Sequence, residues 1–148
     1  MHYTQAQLGR IFILSLEHGD RIPEVIENFA QEQKIQAALV HFVGGADSDS
    51  RLVVGPEERS LSHIQPMVIP LLGVSESFGV GMLFIDEEQG VPKLHMHAAF
   101  GREHRSVTGC TREGVNVWLM GEAVIYELLN SSARRMKDPA SGFSTLAF

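Results

Sequence analysis

Beyond Gly45 the chain loses all helical spacing of its apolar residues, and this most limits what it can fold into. Short apolar segments follow one another at residues 51–54, 67–72, 79–85, 93–100, 115–120 and 123–129. Gly, Pro, Ser or acidic turns divide most of them, for example Gly55-Pro56 and Asp86-Glu87-Glu88-Gln89-Gly90. Such a pattern predicts an antiparallel sheet built of hairpins. The N-terminal part differs. Residues 10–16 read as a strand ending at His18-Gly19-Asp20, and residues 37–43 as a second strand closed by a tight turn at Gly44-Gly45. Between them Ile22, Val25, Ile26, Phe29 and Ala30 form one helical stripe, with Asp20 as its expected cap and Glu24, Glu27, Asn28 and Gln31 facing water. A crossover of that length favours parallel pairing of the two strands. The expected fold class is α+β: one main helix from this strand–helix–strand unit against a curved, mostly antiparallel sheet. A second short helix is expected near residues 130–137, within a C-terminal tail that packs only locally.

At 148 residues the chain is expected to be a single domain, residues 1–148, with its core over about 9–129 and a tail over 130–148. Twelve basic side chains against 18 acidic ones give a formal charge of −6, a poor balance for gripping phosphate backbones. The one local basic cluster is Arg134-Arg135 with Lys137. A single cysteine excludes an internal disulfide. The start of the sequence lacks a signal-peptide pattern and no apolar run is long enough to span a bilayer, so a cytoplasmic location is expected.

Chemistry concentrates in Leu94-His95-Met96-His97-Ala98-Ala99-Phe100-Gly101. On a strand, Leu94, Met96 and Ala98 share one face, and both histidines share the other with their Cα atoms about 6.8 Å apart. Imidazoles so placed can lean onto one ion through metal–nitrogen bonds of about 2.0–2.1 Å. The following polar stretch supplies Arg102, Glu103 and His104, then Gly109-Cys110 and Glu113-Gly114. The plain alternative for His95 and His97 is a hydrogen-bonded or solvated strand face, and for Cys110 an inert buried thiol. His2, His18, His41 and His63 have no partner that spacing identifies. Gly44 to Ser50 matches neither a phosphate loop nor a calcium loop. Trp118 and the phenylalanines fall at strand spacing and read as core rather than as a stacking platform.

Together with the order of elements, Pro92-Lys93-Leu94-His95-Met96-His97-Ala98-Ala99-Phe100-Gly101-Arg102 and Thr108-Gly109-Cys110-Thr111-Arg112-Glu113-Gly114 resemble the two motifs of the PPC domain (plants and prokaryotes conserved), a family long described as DNA-binding. The resemblance covers roughly residues 9–129. Cys110 stands where the family usually has a third histidine, and Thr108 where it usually has glycine. The resemblance implies a homotrimer and, in free-standing prokaryotic members, a metal held by three histidines. Carried over, it makes His95, His97 and Cys110 the metal ligands, with the thiolate favouring zinc or a similar divalent transition metal. The AT-hook segments of plant members are absent from the sequence, so DNA binding is implied by the family name and disfavoured by the charge. The expected function is a metal-binding regulatory homotrimer. The alternatives are a trimer whose metal is purely structural, and a zinc-dependent hydrolase or lyase acting on a small anionic metabolite. In the enzyme reading Glu113 serves as general base and Arg102 anchors the anionic ligand.

Overall fold

The structure, a computed structural model, describes residues 1–59 and 64–148. The chain runs through β1 (Gln7–Glu17), β2 (Arg21–Ile22), helix α1 (Glu24–Glu32), β3 (Ala37–Ala46), β4 (Arg51–Pro56), β5 (Pro66–Pro70), β6 (Ser75–Ile85), β7 (Pro92–Arg102) and β8 (Arg105–Cys110). A single 3-10 turn (Thr111–Glu113), β9 (Val115–Leu129), β10 (Arg134–Lys137) and β11 (Ser144–Ala147) follow. The main sheet is ordered β1-β9-β3-β6-β7-β8-β4-β5, with β2 also pairing β9, and all its pairings are antiparallel. No helix among the described residues is long and apolar enough to cross a membrane.

The alternating segments become strands because their apolar sets fall on one side. Leu94, Met96, Ala98 and Phe100 of β7 are buried together with Ala38, Val40 and Phe42 of β3 and with Ala123 and Ile125 of β9. Helix α1 closes this side by seating Ile26 and Ala30 in the same cluster. Burying one such side chain as large as Met96 stabilises the fold by about 1.5–3 kcal/mol. Much of the other side of the sheet is exposed among the described residues, as at Ile13, Val43, Phe78 and Val80, while Phe84 and Cys110 on that side are buried and Arg135 lies over the Phe84 ring. A row of cross-strand partners traverses this side: Ile13, Val124, His41, Val80, His97 and Cys110 are successive neighbours. The second half of that row carries the candidate chemistry.

Several expectations are corrected. β1 and β3 do run parallel to each other, but β9 lies between them and bonds to both, so the strand–helix–strand unit has no direct parallel pair. Asp20 does not cap the helix. Pro23 occupies the cap, and the Asp20 carboxylate accepts from the Glu17 N–H at 2.8 Å in the turn after β1. Ile22 belongs to β2. Glu27 turns inward, accepting from Lys93 Nζ at 3.1 Å and from the Leu94 N–H at 2.9 Å. Gly44 and Gly45 continue β3, opposite a register shift where the partner jumps from Gly121 to Trp118. A Cβ on Gly45 would meet the Trp118 carbonyl oxygen at 2.5 Å, which explains glycine there. The turn itself comes later, where the Ser50 N–H donates to the Asp47 carbonyl. Residues 115–129 form one strand bent at Leu119, whose φ is +65°. Phe78 and Trp118 are exposed rather than core.

The C-terminal segment departs furthest. In place of a helix and a locally packed tail, β10 and β11 form an antiparallel hairpin. It docks on the end of β6: Arg135 bridges Asp86, and the Arg135 carbonyl accepts from the Glu87 N–H at 2.9 Å. Arg135 is buried.

Candidate metal centre

β7 presents His95 and His97 on its solvent side because Leu94, Met96 and Ala98 claim the core side. β8 then pairs antiparallel with β7 and sets Cys110 directly opposite His97. The two-residue connection Glu103-His104 makes this hairpin tight, with Glu103 at φ +57°. Chain topology thus brings a residue 13 positions away onto the histidine pair. The Nε2 atoms of His95 and His97 stand 3.2 Å apart. Ligand atoms of His95, His97 and Cys110 all lie within 4.8 Å of one another, the imidazoles exposed and the thiol buried.

These residues fit a divalent metal. Two nitrogens on a tetrahedral centre with bonds of about 2.0–2.1 Å are separated by about 3.3–3.4 Å, close to the spacing here. Two imidazoles and a thiolate form a soft donor set, with a fourth position left for water or a ligand. Burial holds the His95 imidazole below its ordinary pKa, reinforced by the positive charges of Arg135, His97 and Arg112. A neutral ring is the form that coordinates. Thr111 braces the neighbourhood by donating from Oγ1 to the Met96 carbonyl at 3.3 Å.

A cleft of about 320 Å³ opens over the three residues, with Arg112 and Phe143 on its rim. The other predicted site residues lie elsewhere. Glu113 is exposed and does not line this cleft; its backbone carbonyl accepts from Arg21 Nη2 at 2.7 Å. Arg102 sits seven residues along β7 from His95, on the order of 20 Å away. There its guanidinium donates to the Val74 carbonyl at 2.7 Å and flanks a different cavity. His104 is exposed in the β7–β8 turn. Among the remaining histidines, His18 accepts from the Leu119 N–H through Nδ1 at 3.2 Å, His41 stacks edgewise on Tyr126, and His63 lies outside the described residues.

Arg112, Arg135 and Phe143 were not expected at the site. The basic pair Arg134-Arg135 and the isolated Phe143 stand out in the sequence, but nothing local shows that a hairpin folds them back onto β7. Arg112 lies over the Phe143 ring at 5.4 Å from its centroid.

A family model, the Plants and Prokaryotes Conserved (PCC) domain, matches residues 3–129. The chain belongs to this family. Among solved structures it is similar to a plant- and prokaryote-conserved protein from Pyrococcus horikoshii, at 23% identity, 100% coverage of this chain and 98% of that one, and a TM-score of 0.85. It is also similar to a metal-containing protein from Archaeoglobus fulgidus, at 20% identity, full coverage of both chains and a TM-score of 0.83. A third, a candidate DNA-binding protein from Ralstonia eutropha, shares 19% identity over 92% of this chain and 90% of that one, with a TM-score of 0.70. No curated protein matches the chain.

Proposed function

We propose that this PPC-domain protein is a metal-binding regulatory homotrimer of the cytoplasm, with zinc or a similar divalent transition metal held by His95, His97 and Cys110. The observation that carries the reading is the convergence of two imidazoles and a thiol within 4.8 Å. The similarity to a metal-containing protein of the same fold supports it. When bound, such a metal supplies a Lewis-acid position open to one further ligand. His95, His97 and Cys110 would hold the ion, the sulfur as a thiolate would lower the net charge beside Arg112, and Phe143 lines the same cleft.

Assembly is supported by the exposed part of that sheet face. Ile13, Val43, Phe78 and Val80 are 83%, 53%, 66% and 53% exposed, a contiguous apolar surface of the kind that monomers rarely leave in water. His97 lies in the same cross-strand row, so the metal position borders that surface. A DNA-binding role draws support from the family and from similarly folded candidate DNA-binding proteins, but the −6 charge weighs against it. The hydrolase or lyase reading loses its assigned groups, since neither Glu113 nor Arg102 lines the cleft over the histidines.

Cobalt substitution tests the centre. A thiolate-to-cobalt charge-transfer band is expected in the wild type and lost in Cys110→Ser; its absence from the wild type defeats the assignment. Sedimentation equilibrium checks the trimer, and a gel shift at about 50 mM salt, where electrostatic binding is strongest, checks DNA.

A further inference from the structure

A second, larger cleft of about 840 Å³ lies beside the histidine cleft, between the C-terminal hairpin, the start of β7 and the first turn of α1. His95, Arg112 and Phe143 border both. Six charged side chains besides His95 face it: Glu24, Glu27 and Asp86, against Lys93, Arg112 and Arg135. The three acids are already engaged. Glu24 pairs with Arg21 at 3.3 Å, and Glu27 with Lys93 and the Leu94 N–H. Asp86 accepts from the N–H groups of Glu88 and Gln89 at 3.1 and 3.0 Å. Once Lys93 is counted with Glu27, and Glu24 with Arg21, two guanidiniums remain against the one carboxylate of Asp86, which lies beyond ion-pair distance of both. Among the described residues neither Arg112 nor Arg135 has a carboxylate within ion-pair distance.

Arg135 is the more telling of the two. It is only 7% exposed, yet its Nε is buried without a hydrogen-bond partner among the described residues. Its remaining contacts are one long bond from Nη2 to the Met82 carbonyl, at 3.4 Å, and the Phe84 ring at 5.8 Å. A buried charge normally comes with a counter-charge, because its lost hydration is otherwise unrecovered. Guanidinium groups present a planar fork that matches the two oxygens of a carboxylate or phosphate.

We propose that this cleft is a binding site for the carboxylate or phosphate group of a small molecule, gripped by Arg112 and Arg135 beneath the β10–β11 hairpin. Phe143 holds the Arg112 plane and forms an apolar wall for the ligand's body. Two of these three residues, Arg135 and Phe143, lie beyond residue 129, where the family model's match ends, and come from the C-terminal hairpin. The cleft is complete without a metal, and the proposal therefore stands or falls separately from the metal centre.

Calorimetric titration of the full, metal-free chain with inorganic phosphate and with malonate, at matched ionic strength, tests it. Binding in the millimolar range or tighter is expected, and the preferred probe identifies the ligand class. Arg112→Gln should weaken it about 10-fold or more, the effect of losing a charge-assisted hydrogen bond. Arg135→Gln should do the same, while Lys137→Gln, exposed on β10 and outside the cleft, should leave it unchanged. If Arg135→Gln fails to fold, Arg112→Gln decides alone. Absence of binding by either probe overturns the proposal, as does equal weakening by Arg112→Gln and Lys137→Gln.

Discussion

Two charged side chains are buried on different strands of this molecule, and they are treated in opposite ways. Glu127 on β9 is enclosed by Arg10 of β1. The guanidinium donates from Nε to Oε2 and from Nη2 to Oε1, both at 2.7 Å, and the Arg10 N–H adds a third bond at 3.1 Å. Arg135 on β10 is comparably buried and, among the described residues, has no acid within ion-pair distance. The first arrangement is closed: each charge has its partner. The second is open, and it lies beside two imidazoles and a thiol. A satisfied buried charge reads as architecture, whereas an unsatisfied one beside a cleft reads as a site.

The largest effects are expected where the open region meets the metal. His97→Ala and Cys110→Ala should each lower zinc affinity by roughly 100-fold or more, exceeding the loss typical of outer-shell changes. Competition against a chromophoric chelator reads this directly. Wild-type affinity in either variant would show that the convergence of the three residues has no binding role. Next comes the closed pair. Glu127→Gln leaves the Arg10 fork without its counter-charge and should lower Tm by roughly 5 °C while leaving zinc affinity intact. An unchanged Tm would remove the contrast between the two regions.

How much of this was legible beforehand differs between the same two regions. The period-2 alternation in β7 fixes which face holds His95 and His97, because Leu94, Met96 and Ala98 can only satisfy the core side. Strands β3, β4 and β6 were visible as apolar, β-branched runs, whereas β9 was visible only as two separate segments, 115–120 and 123–129. β8 was not: Arg105-Ser106-Val107-Thr108-Gly109-Cys110 has too little apolar content to announce a strand, and it is held by pairing with β7 on one side and β4 on the other. Cys110 was reached through the family motif instead. The insertion of β9 between β1 and β3 is a long-range choice that local spacing cannot encode. The hairpin of residues 134–147 was missed because its strands are four residues each and polar, and their docking depends on surfaces formed elsewhere. Arg112, Arg135 and Phe143 were missed with it.

Acid titration sharpens the comparison further. The hydrogen bonds from Arg10 hold the Glu127 carboxyl below its usual range, which outweighs the opposing effect of burial. A depressed folded-state pKa contributes stability that is fully present above the unfolded value, about 4.3, and is lost as pH falls through the folded one. The Tm gap between wild type and Glu127→Gln should therefore be constant above about pH 5 and narrow below it. A gap independent of pH would mean that the pair is not ionic. Arg135→Met should act in the opposite direction to Glu127→Gln. Replacing an unpaired buried charge by an apolar chain of similar length should raise Tm by about 2–4 °C, equivalent to about 1 kcal/mol for a chain of this size.

The smallest effect is expected at Arg102, the residue that the sequence placed at the ligand. Its guanidinium is tied to the Val74 carbonyl at the far end of β7 and contacts neither cleft next to His95. Arg102→Ala should leave both zinc affinity and phosphate binding within experimental error of the wild type. The surface pairing it makes with Glu103, at 4.0 Å between largely exposed groups, is of the kind that contributes little. Removing it should therefore also leave Tm nearly unchanged. A clear loss of phosphate binding in Arg102→Ala, with Arg112→Gln unaffected, would transfer the anion site to the opposite end of the strand. Arg135 would then be a buried charge with no ligand to explain it.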